Sequence, residues 1–146
     1  MAKDSPRTDA AALANRLRPV LLRIARELRR EIHSLGVTGG QVSVLASIKH
    51  NPGITATELA ERERVSAPGM SGYLVRLEAA KLIERTRASD RRRIGLFLTP
   101  EGEKVLKSVR KKRTAWLVAR LEQLEPKDRE DIERSIDALE KLLGDE

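Results

Sequence analysis

Apolar residues recur at spacings of three and four from about Asp9 to Leu35: Leu13, Leu17, Val20, Leu21, Ile24, Leu28, Ile32 and Leu35. That period predicts one long amphipathic helix, kinked or limited at Pro19 and stopped at Gly36. Its other face carries Arg16, Arg18, Arg23, Arg26, Arg29 and Arg30. Thr38-Gly39-Gly40-Gln41 then fits a capping box opening a short helix, with Val42, Leu45 and Ile48 on one face. Asn51-Pro52-Gly53 is the turn out. Thr55-Ala56-Thr57-Glu58 is a second capping box, ahead of Leu59 and Ala60. A tight turn at Glu63-Arg64-Val65 leads to Ser66, a good N-cap, with Pro68 in the first turn where a missing N–H costs little. Leu74, Leu77 and Ala80 form the next stripe, with Val75 beside it. Two short helices joined this way read as a helix-turn-helix.

After Lys81 the period changes to that of an extended chain. Leu82 to Arg87 and Ile94 to Thr99 read as two strands, with Ala88 to Arg93 as a charged hairpin tip. Thr99-Pro100-Glu101 signals another helix, running to about Gln123. Val105, Val109, Trp116, Leu117, Leu121 and Leu124 are its apolar positions. Pro126 restarts the chain into a last helix striped by Ile132, Ile136, Leu139, Leu142 and Leu143. The terminal helices have more apolar face than a small winged core can cover, so a second copy is expected to complete them.

The fold expected is therefore mostly α: a winged helix-turn-helix core with a small β-hairpin wing and long terminal dimerisation helices. The divisions fall at 1–35, 36–99 and 100–146. Aromatics are only 2% of the chain, so its core must be Leu, Ile, Val and Ala. There is no cysteine, which excludes disulfides and thiolate metal sites. Two histidines, His33 and His50, are too few for a metal cluster, and nothing calls for a cofactor. The N-terminus lacks the apolar core of a signal peptide, and no run approaches the ~18 apolar residues of a membrane span. A cytoplasmic protein with no membrane partner is expected.

The net charge of +7 is unevenly spread. Residues 64–93 hold eight basic and three acidic residues, net +5, whereas residues 122–146 hold four basic and ten acidic, net −6. A basic centre with an acidic tail suits a polyanion-binding face and a separate face that avoids it. No P-loop, dinucleotide fingerprint or nucleophile–base spacing is present, so an enzyme is not expected.

The segments VSAPGMSGYLVRLEAAKLIERTRASDRRR and IGLFLTPEG resemble the recognition helix, wing, D-x-R tip and L-T-x-x-G approach to the next helix of the MarR family. That family comprises bacterial winged helix-turn-helix transcription regulators, and the likeness covers nearly the whole chain. The resemblance implies a triangular homodimer on pseudo-palindromic promoter DNA, commonly a repressor released by a small, often aromatic acid. Ser66, Pro68, Gly69, Ser71 and Gly72, with Ala67 among them, fall on the front of the recognition helix. Asp90 and Arg92 match the D-x-R, and Lys81 stands where the family usually has a turn glycine.

Small or hydrogen-bonding residues suit a helix front that approaches the major groove, and the glycines allow close backbone approach. Tyr73 and Arg76 would hold flanking phosphates. Asp90 would orient one of Arg91, Arg92 and Arg93 toward the minor groove, while Arg85 and Arg87 line the backbone. An effector pocket, which the resemblance places between the long helices and the winged core, would be walled by Leu17, Leu21, Ile24, His33, Val44, Ile48, Arg113 and Trp116. The alternative to a sequence-specific regulator is a non-specific architectural DNA binder or a helical adaptor, since fold alone does not fix function.

Overall fold

The computed structural model describes residues 9–87 and 93–144. Helix α1 (Ala10–Glu31) leads through a 3-10 turn (His33–Leu35) to α2 (Gly39–His50), α3 (Ala56–Glu63) and α4 (Ala67–Ala79). Strands β1 (Ile83–Arg87) and β2 (Ile94–Leu98) form the hairpin, followed by α5 (Pro100–Glu122), α6 (Pro126–Glu140) and a closing 3-10 turn (Lys141–Leu143). The strands are antiparallel, with Ile83 opposite Leu98 and Arg87 opposite Ile94.

The helix starts are where the side chains predict them. Thr38 and Gln41 close a reciprocal capping box at 3.2 and 3.0 Å. Thr55 and Glu58 close another at 3.2 and 3.3 Å. The Ser66 hydroxyl accepts the Gly69 N–H at 3.2 Å, and the Thr99 hydroxyl accepts that of Gly102 at 3.1 Å. Each satisfies a donor that a helix start would otherwise leave open.

The first helix is shorter than its apolar period suggests. It passes through Pro19 and ends at Glu31. The chain then tightens into the 3-10 turn and leaves it at Gly36, whose φ of 72° is left-handed. The tighter winding swings Ile32 wholly inside, whereas α1 itself contains no buried residue. In α4 the inward stripe is Met70, Leu74 and Leu77, an i, i+4, i+7 set. Val75 is 60% exposed and Ala80 is exposed.

One apolar cluster joins Ile32, Val42, Val44, Leu45, Ile48, Leu59, Met70, Leu74, Leu77, Ile83, Leu96 and Val109, with smaller neighbours. It is the core of the winged unit, and α1 and α5 are rooted in its edge through Ile32 and Val109. Beyond that root α1 runs against α5, where Leu17, Leu28, Trp116 and Leu121 are half-buried, but much of the apolar surface of the long helices is uncovered. Val20, Leu21 and Leu22 on α1, Leu117 and Val118 on α5, and Ile132, Ile136 and Leu139 on α6 are all exposed.

A candidate nucleic-acid interface

The end of α3 is tied to α2 by Glu63, which accepts Ser43 Oγ at 2.6 Å and also Ser47 Oγ. The chain then turns at Arg64, which adopts a left-handed φ of 53° and lets Val65 N–H reach back to the Ala60 carbonyl at 3.0 Å. A non-glycine residue there costs on the order of 1 kcal/mol. The return is the sharp reversal that aims the Ser66 end of α4 outward. Lys81, at the exit of α4, also takes a positive φ, 60°. The turn after α4 is thus made without a glycine.

Ser66, Ala67, Pro68, Ser71, Gly72 and Arg76 lie exposed along α4. Gly72 faces open space, with nothing within 4 Å of where a Cβ would stand. Gly69 faces its own cap: a Cβ there would stand 2.9 Å from Val65 Cγ1 and 3.1 Å from Ser66 Oγ. The Tyr73 ring is half-buried and turned onto the first turn of α2. A Cβ on Gly40 would fall 2.3 Å from its phenolic oxygen. Tyr73 therefore packs α4 against α2, while Arg76 stands in solvent.

The hairpin root is fixed by backbone. Gly53 N–H donates to Leu96 O and Leu96 N–H to Ile54 O, both at 2.9 Å, so the loop before α3 acts as a third, one-residue strand. Gly95 lies flat against Gly53, where a Cβ would stand 3.0 Å from the Gly53 Cα. Arg85 and Arg87 are exposed on β1. Arg85 Nε donates to Glu78 of α4, and Arg93 Nη2 donates to Glu58 of α3. Asp90, Arg91 and Arg92 lie outside the described residues. Glu58 and Glu78 are the site residues that sequence reasoning missed, because Glu58 reads only as a capping residue and its arginine lies 35 positions away. Ser71 and Arg85 share the wall of a groove of about 430 Å³ between α3 and α4.

A second hollow, of about 600 Å³, opens between α2 and α5. Val42, Ala46, Leu106, Val109 and Leu117 floor it, and Lys49, His50, Glu103, Lys104, Lys107, Arg110 and Arg113 surround them, with Lys49 paired to Glu103 at 3.1 Å. Arg113 Nε is buried without a hydrogen-bond partner. Of the predicted effector residues, Arg113 lines this hollow. Val44 and Ile48 are core, because both sit on the inner face of α2. Leu17 is half-buried, Leu21, Ile24 and His33 are exposed, and Trp116 is half-buried under Arg120, 5.3 Å from the ring centre. Among the described residues no helix is long and apolar enough to cross a membrane, and no group of three or more acidic or histidine side chains is placed to hold a metal.

Known proteins share this arrangement. The MarR family model matches residues 35–94. An uncharacterized HTH-type transcriptional regulator of Mycobacterium bovis, Mb0904, is 32% identical over 137 residues, 93% of this chain and 95% of that protein. The HTH-type transcriptional repressor MdtR of Bacillus subtilis is 38% identical over 88 residues, 60% of this chain and 57% of its own. The crystal structure of MarR superposes with a TM-score of 0.70 at 29% identity, covering 87% of this chain and 96% of that one.

Proposed function

The chain belongs to the MarR family of DNA-binding, helix-turn-helix transcriptional regulators, and from that premise we propose that it is a homodimeric repressor acting on a pseudo-palindromic promoter site. Members of this family regulate transcription and are not enzymes. The two Ser66 helix fronts enter successive major grooves, with Ser66, Ser71 and the bare backbone at Gly72 nearest the base edges. Arg76 and Arg87 hold phosphates, and Arg92 is the residue the sequence assigns to the flanking minor groove. Residues 36–99 read the DNA, and residues 1–35 and 100–146 hold the copies together. The observation that carries this reading is the pairing of an outward, small-residue helix front with terminal helices whose apolar rows are uncovered. Likeness to a repressor over 88 residues favours repression.

The hollow between α2 and α5 takes the effector. Its volume is within the usual range for small-molecule sites, roughly 300–1,000 Å³. An apolar floor under a rim where cations outnumber the one carboxylate, Glu103, suits a lipophilic acid, and Arg113 Nε is a donor still without an acceptor. The hollow abuts Val109, the residue that roots α5 in the winged core. An occupant there shifts the two units against each other.

Footprinting on the DNA upstream of the chain's own gene, with and without a panel of lipophilic acids, tests this reading. Expected is protection of two half-sites about 10 bp apart, centre to centre, lost on adding the active acid and insensitive to it in Arg113→Gln. A specific-to-non-specific affinity ratio near unity would instead favour an architectural role.

A further inference from the structure

Two of the cations that the sequence assigns to DNA are already occupied within the protein. Arg85 is paired with Glu78, and Arg93 with Glu58. The Glu58 carboxylate is preset for this. Its Oε2 accepts the Thr55 N–H at 3.3 Å in the capping box, which leaves Oε1 for Arg93. One pair ties α4 to β1 and the other ties α3 to the residue that leads into β2, one from each helix of the helix-turn-helix.

Neither pair is needed to place the wing. The root is held by backbone bonds from Gly53 and Ile54 to Leu96 and from Thr99 N–H to Leu82 O at 3.1 Å, with Gly95 seated on Gly53. All four side chains are a third to a half exposed, and pairs so exposed add little stability. What the pairs do change is charge. An arginine bonded to a carboxylate does not neutralise a phosphate, and the carboxylate itself repels the DNA backbone.

We infer that Glu58 and Glu78 are specificity-determining restraints: they withhold Arg93 and Arg85 from phosphates, lowering affinity for arbitrary DNA and widening the gap to the true operator. Phosphate contacts supply nearly all of non-specific binding and carry no sequence information. A regulator that withholds two cations per chain is thus less readily titrated by the rest of the genome. The inference rests on the proposed DNA-binding face.

The test is the salt dependence of binding to a random-sequence duplex, which needs no knowledge of the operator. Glu58→Gln is the first variant, because Gln preserves the capping box and removes only the charge. The slope of log affinity against log salt should steepen by about 0.9 per protomer, an extra factor of about 3 per protomer between 50 and 200 mM. The operator-to-random ratio should fall. Glu78→Gln, on a different helix, should do the same through Arg85. Glu58→Gln with Arg93→Gln should return the slope to that of the parent. Unchanged or shallower slopes in both single variants overturn the inference, as does a steep slope persisting in the double variant. A parent protein that shows no operator preference would defeat the proposed function instead, and the random-duplex slopes would still decide this point.

Discussion

The winged centre and the terminal helices are built to opposite specifications. In the centre, α2, α3 and α4 are short, each is capped by a Thr or Ser hydroxyl, and their large aliphatic residues, Val75 apart, are inside. At the ends, α1 and α6 have no buried residue although α1 carries a row of Leu, Ile and Val and α6 one of Ile and Leu. The centre stabilises itself. The ends are amphipathic helices with one face unmatched, and in water such a face is satisfied only by another surface. Charge sharpens the contrast, since α1 bears six arginines against two glutamates whereas α6 bears six acids against three bases.

The contrast is broken most directly at α6. Ile136→Asp combined with Leu139→Asp places charge on the uncovered row, where no intrachain core is disturbed. Expected is a monomer by sedimentation, a far-ultraviolet spectrum still helical, and affinity for the two-half-site operator reduced by about 10²–10⁴-fold, the gain that linking two modules normally brings. A purified parent chain that is itself monomeric at working concentrations would remove the premise. Next in size is the core: Leu45 is fully buried, so Leu45→Ala should cost about 2–5 kcal/mol in a denaturant titration, with dimerisation spared at temperatures where it remains folded. The smallest effect belongs to Ser66→Ala. It removes a cap and should cost about 1 kcal/mol. A drop in operator affinity larger than the stability loss, measured below the melting range, would assign Ser66 a contact with DNA as well.

How much of this was legible in the chain depends on the range of the interaction. Caps act over three residues, so Thr38, Thr55, Ser66 and Thr99 announce themselves, and the strands follow from the switch to period two. The apolar period carries α1 one turn too far, because Ile32 and Leu35 continue it while the backbone tightens to 3-10 geometry. Apolar spacing does not distinguish the two. In α4 the spacing predicts Ala80 in the inward stripe with Leu74 and Leu77, but Met70 takes the third place and Ala80 is exposed, because only the neighbouring helices decide which apolar residue is covered. Pairings across the fold leave no local trace. Glu58 with Arg93, Tyr73 on Gly40 and the hollow between α2 and α5 each depend on elements meeting in space. The left-handed turns at Arg64 and Lys81 were also hidden, since the residue type that usually marks such a turn is absent from both.

The junction at Gly102 has a mechanical consequence. A Cβ there would stand 2.2 Å from the Leu82 carbonyl oxygen, and Thr99 Oγ1 donates to the Lys81 carbonyl at 2.6 Å, so the first turn of α5 is riveted to the exit of α4. With 23 residues, α5 is a rod about 34 Å long, and a tilt of about 5° at its pivot moves the far tip by about 3 Å. In the proposed dimer, a displacement of that size at the far tip would turn the winged unit by the same small angle. The stroke is set by the rod's length, and its stiffness by the absence of a side chain at one glycine.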